Sequence, residues 1–141
     1  MKRNDMTTFN VQTNRKIWIG KWLIIVAILH TIAGGIFFGK IFIDIARRGF
    51  FNTVGHDPLT AAAVWFFLFG ALFALFGMTI HALEKQASFP LAGLIGISLF
   101  LISFIGIILM PDSGFWLAIP AVIGLLRISK EKNNHAESAT S

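Results

Sequence analysis

An all-α membrane protein, a four-transmembrane-helix bundle with cytoplasmic N and C termini, is the fold class this sequence predicts, and three observations predict it. Apolar residues make up 55% of the 141 and charged residues only 13%, with a mean hydropathy of +0.73, more apolar surface than a water-soluble core of this size can use. The charges gather at the two ends and between Lys40 and Asp57, leaving long apolar runs nearly free of them. With four crossings, nine of the 12 Lys and Arg residues fall on the side of the termini and three on the other, whereas three crossings would divide them evenly.

The chain divides into a polar tail over 1–15, a transmembrane domain over 16–128 and a second polar tail over 129–141. The first span is predicted over 22–39, where 18 residues at about 1.5 Å each nearly cross a hydrocarbon core of about 30 Å. Beyond it Lys40, Asp44, Arg47 and Arg48 recur at helical spacing, with Ile41, Phe42 and Ile45 between them, so an amphipathic extension should run on to Gly49. Asn52 to His56 has turn composition, and Asp57-Pro58 is a helix start: the carboxylate caps free N–H groups, and proline at the first helical position needs no donor.

A second span follows over 60–83 and a third over 91–110, the latter without a formal charge. Pro111-Asp112-Ser113-Gly114 reads as a tight turn, which makes the third and fourth segments an antiparallel hairpin. The last span, 115–128, has a short apolar run interrupted by Pro120, and the Lys/Arg asymmetry is what favours a crossing there. Trp18 and Trp22 would then mark the inner interface, and Trp65 and Trp116 the outer one.

Because lipid is as apolar as leucine, helices in a bilayer gain by close backbone approach, and small residues mark where they meet. Ala63, Gly70, Ala74 and Gly77 share one side of the second span, as do Ala92, Gly96 and Ser103 on the third, and both seams are predicted to be packing surfaces.

His30 stands near the middle of the first span with Ala27, Ala33 and Gly34 on its side, and an ionisable group at that depth is a candidate for ligand or proton handling. Its structural alternative is a neutral imidazole hydrogen-bonded across helices, for example to Ser98 or Ser103. His81, near the inner end of its span, is expected to hydrogen-bond there with Glu84 and Lys85 nearby. Lys40, Asp44, Arg47 and Arg48, with Asn52, His56 and Asp57, could line a basic outer vestibule, or form a solvated face held by Lys40–Asp44 and Asp44–Arg48 pairs. The histidines occupy different depths and there is no cysteine, so neither a metal site nor a cysteine nucleophile is expected. No phosphate loop, nucleophile elbow or HExxH pattern occurs, and no cofactor or catalytic residue is assigned.

Several motifs together carry a family likeness: Trp18-Ile19-Gly20 leading to His30, Phe51-Asn52-Thr53-Val54-Gly55-His56-Asp57-Pro58, Trp65-Phe66 with Gly70, and Met110-Pro111-Asp112-Ser113-Gly114-Phe115-Trp116. Over about Ile17 to Arg127 the sequence resembles the uncharacterised family catalogued as domain of unknown function 6463. The resemblance implies a small four-helix protein of a bacterial plasma membrane and brings no activity, substrate or site residue. The expected function is a non-enzymatic accessory or small-ligand or lipid-binding protein. The alternative is a small oligomeric transporter or proton-coupled carrier using His30 and the basic first loop. The bilayer, a second copy or another membrane protein are the expected partners, and the basic balance is read as topology, not nucleic-acid binding.

Overall fold

The computed structural model describes residues 16–86 and 89–138, so the expected tail over 1–15 lies outside the described residues. The described chain forms four helices, α1 (Ile19–Arg48), α2 (Pro58–Glu84), α3 (Ala92–Leu109) and α4 (Ile119–Ser138), with a 3-10 turn over Gly114–Ala118 leading into α4. α1, α2 and α3 are each long and apolar enough to cross a membrane. α1 carries the first span and its amphipathic extension as one continuous helix and stops at Gly49, whose φ of +81° suits a residue without a Cβ. α2 begins as its sequence dictates, with Asp57 accepting from the N–H groups of Leu59 and Thr60 and with Pro58 opening the first turn.

The fourth segment shows two local features. The fourth apolar segment does not start as an α-helix, because Gly114–Ala118 winds as a 3-10 turn before α4 takes over at Ile119. Pro120 then sits in the first turn of α4, where its missing N–H breaks no bond. Within the polar tail predicted from residue 129, α4 continues to Ser138, since no glycine or proline between Arg127 and Ser138 interrupts the helix.

The helices pair as two antiparallel hairpins, α1 with α2 and α3 with α4, joined where α4 and its 3-10 lead-in pack on α1. Among the described residues the backbones of α2 and α3 do not pack on each other, so the closed four-helix bundle opens into the spatial order α2, α1, α4, α3. Periodicity identifies packing faces but leaves the choice of partner to shape, and small-residue seams on both hairpins direct the closest contacts within each hairpin.

Gly20, Ala27 and Gly34 on α1 and Ala63, Gly70 and Gly77 on α2 are buried at intervals of seven, the spacing of left-handed antiparallel packing. A Cβ on Gly20 would stand 2.5 Å from the His81 Cα, and one on Gly77 2.9 Å from the Ile24 nitrogen, so these backbones nearly touch. Ala74 is half-buried and lines, with the seam residues Ala27 and Gly70 and with Ile28, Ile32 and Phe67, an apolar hollow beside the seam. On α3, Ala92, Gly96 and Ser103 are buried, and Gly96 faces Leu125 and Leu126 of α4. The core sits at the joint between the hairpins, where Ile19, Leu23 and Ile80 meet Leu99, Val122 and Leu125. Outside it, large apolar side chains such as Ile36, Phe37, Leu94 and Leu109 are exposed all around, a surface suited to lipid and not to water.

Candidate functional site

The turn that joins α1 to α2 is a structured cap on the hairpin. Asn52 and Gly55 take positive φ of +53° and +51°, folding the chain back within a few residues, and Thr53 Oγ1 donates to the Phe50 carbonyl at 3.1 Å. The Asp57 N–H closes the turn on the Val54 carbonyl at 3.3 Å. Beneath it lies an open groove of about 510 Å³, lined by Asp44, Arg48, Asn52, His56, Asp57 and Thr60 among others. This volume falls in the range of small-ligand sites.

Two acids and one guanidinium set the electrostatics. Arg48 pairs with Asp44 at 2.6 Å, one helical turn apart. The Thr60 hydroxyl and N–H both donate to Asp57 Oδ2, and with Arg48 nearby they hold the Asp57 carboxyl below its ordinary range, keeping it ionised. Of the residues expected to form a vestibule, Asp44, Arg48, Asn52, His56 and Asp57 come together around the groove, while Lys40 and Arg47 are exposed and do not line it. The Lys40–Asp44 pair does not form among the described residues, because Asp44 turns to Arg48.

His30 lies near the middle of α1, about 14 residues or roughly 21 Å from Asp44 of this groove, and has a different partner from those expected. Its Nε2 donates to the Phe66 carbonyl of α2 at 3.0 Å, since a carbonyl only accepts. Its ring stacks on Phe66 with centroids 3.9 Å apart and meets Phe69 edge-on at 5.5 Å. Ser98 is exposed and Ser103 is buried on α3, which is not a neighbour of α1, so neither serves His30. Gly70 makes the approach feasible, because a Cβ there would stand 3.2 Å from His30 Cδ2 and 2.6 Å from Thr31 Oγ1.

The opposite end of the hairpin holds a residue just beyond the second span predicted over 60–83. Glu84, 3% exposed, accepts from the backbone N–H groups of Trp18 (3.2 Å), Ile19 (3.1 Å) and Gly20 (2.7 Å). It therefore caps α1 from the end of α2, satisfying donors that a helix start leaves without partners. His81, expected to hydrogen-bond near the inner end of its span, has its Nδ1 buried with no hydrogen-bond partner among the described residues. A legible signal did exist, because Trp18 at the cap position offers no side-chain acceptor.

Residues 14–132 match the family of unknown function DUF6463. The chain belongs to it. No curated protein and no solved structure matches this DUF6463 member. Its membership places the groove residues, His30 and Glu84 inside the matched region and assigns a role to none of them.

Proposed function

We propose that this DUF6463 member crosses a bacterial plasma membrane four times with both termini in the cytoplasm, and acts there as a non-enzymatic protein that binds a small ligand or lipid. The observation that carries the binding role is the charged groove at the α1–α2 turn, a ligand-sized recess whose polar side chains converge at one end of an otherwise apolar hairpin.

The register of the second hairpin supports a fourth crossing. Gly106 of α3 faces Phe115, and Gly93 faces Ser129, so the 3-10 turn and the start of α4 run beside nearly the whole of α3. At about 2.0 Å per residue, the 3-10 turn lengthens a short apolar run. The Lys/Arg asymmetry supports cytoplasmic termini, and the likeness described above supports a bacterial plasma membrane.

The carrier reading has less behind it. A polar route from the groove toward His30 would have to pass the Phe42–Phe67 and Phe38–Phe66 ring pairs. The binding role is tested by purifying the full chain in mild detergent and identifying what co-purifies by mass spectrometry. A ligand retained by the wild type and lost in Arg48→Gln supports it, and identical bound species in both proteins would contradict it.

A further inference from the structure

We propose that the groove binds a zwitterionic ammonium phosphate, the chemistry of an ethanolamine phosphate headgroup, with Arg48 receiving the phosphate and Asp57 the ammonium; this rests on the reading of the groove as a ligand site.

The charges around the groove select for that class. Asp44, Asp57 and Arg48 place two carboxylates against one guanidinium. A purely anionic ligand would approach two carboxylates, and a simple cation would meet the guanidinium already paired with Asp44. A ligand with both signs can divide itself, its anionic end on Arg48 and its cationic end on Asp57.

Both side chains have capacity left. Arg48 gives one nitrogen, Nη2, to Asp44, and a guanidinium carries five N–H donors in a fork that fits phosphate. Asp57 Oδ2 accepts twice from Thr60 and Oδ1 once from Leu59, which leaves Oδ1 a lone pair for a further donor. A primary ammonium can donate to that oxygen, whereas a quaternary ammonium cannot and favours aromatic cages. The groove has a single ring, the His56 imidazole, and no Phe or Trp among its lining residues, so it offers no aromatic cage.

The depth of the groove suits a headgroup. The 30 residues of α1 span about 45 Å, well beyond a hydrocarbon core of about 30 Å, so its last turns stand in the headgroup layer. Phe50 and Phe51, 81% and 97% exposed, flank the turn and offer apolar side chains to the headgroup/acyl boundary.

The test is native mass spectrometry of the full chain in detergent, offered equal amounts of ethanolamine, glycerol and choline phospholipids with identical acyl chains. The ethanolamine lipid should be retained about tenfold better than the other two, the equivalent of roughly one charged hydrogen bond. Asp57→Asn keeps a capping side chain and should erase that preference, while Arg48→Gln should lose all three adducts. Soluble phosphoethanolamine separates the sources: competition makes the headgroup chemistry sufficient, and a preference that withstands it makes the intact lipid the ligand. Equal or stronger retention of the glycerol lipid, or a preference unchanged in Asp57→Asn, overturns the inference while an Arg48-dependent adduct leaves the ligand site standing. Adducts indifferent to Arg48→Gln overturn both.

Discussion

Gly20 donates its backbone N–H to Oε2 of Glu84 at 2.7 Å, tying the first turn of α1 to the last residue of α2 across 64 positions of sequence. The same carboxylate takes the N–H groups of Trp18 and Ile19 on its other oxygen, so both oxygens act as acceptors at one helix start. Glutamine in its place would turn an amide N–H toward one of those donors. Glu84→Gln and Glu84→Ala should therefore both lower stability by about 1–3 kcal/mol, the cost of buried donors left without a partner. Thermal unfolding in detergent checks this, and a Glu84→Gln protein as stable as wild type would show that the cap is dispensable.

That cap explains much of what was and was not legible in the sequence. The end of α1 at Gly49 and the start of α2 at Asp57-Pro58 are written locally, in residues whose backbone preferences act within a turn, and both fall where predicted. The buried positions Ala63, Gly70 and Gly77, and Ala92, Gly96 and Ser103, follow from helical periodicity. Which helix each seam meets is a matter of three-dimensional fit, and His30 accordingly finds Phe66 on α2 instead of a serine on α3. Glu84 was missed for the same reason, since its partners are distant in sequence. In the loop, Asp44, Arg48, Asn52, His56 and Asp57 were grouped by proximity, whereas the exclusion of Lys40 and Arg47 depends on how the end of α1 is rotated against the turn.

Close approach at Gly70 sets up a contrast between two glycines. A Cβ on Gly70 would reach 2.6 Å from Thr31 Oγ1, while one on Gly35 would meet nothing within 4 Å. Gly70→Ala should cost about 1–3 kcal/mol through overpacking. Gly35→Ala should be neutral or stabilising by up to about 1 kcal/mol, through helix propensity. Equal melting temperatures for the two variants would refute the seam.

For His30, the hydrogen bond and the ring stack can be separated. His30→Phe keeps an aromatic ring against Phe66 and removes the donor, so it should cost about 0.6 kcal/mol and at most about 1.7, the range measured for hydrogen bonds between helices in a bilayer. His30→Ala, which also removes the stack, should cost about 0.5–1.5 kcal/mol more. Denaturation in mixed micelles measures both. A stable His30→Phe protein that loses bound ligand or a pH-dependent phenotype would instead assign the imidazole a functional role.

Asp57 gives a pH signature. Its folded carboxyl is held below the unfolded value of 3.8, first by the Thr60 hydroxyl and then by the Thr60 N–H, so the carboxylate form is the one that caps α2. The stabilisation is present above that unfolded value and is lost as pH falls through the lower folded one. Hydrogen exchange at Leu59 and Thr60 should accelerate, relative to its ordinary pH dependence, on acidification below about pH 4, and Asp57→Asn should abolish that excess. An identical excess in Asp57→Asn would assign the acid sensitivity to another group.

Four crossings and an outward-facing charged groove can be tested together by single-cysteine labelling, because the sequence contains no cysteine. Phe51→Cys, Lys85→Cys and Ser141→Cys would each be treated with a membrane-impermeant maleimide in intact and in lysed cells. With four crossings, Phe51→Cys should label in intact cells, and Lys85→Cys and Ser141→Cys only after lysis. Labelling of Ser141→Cys in intact cells, with Lys85→Cys still protected, would show that α4 does not cross and that the chain has three crossings.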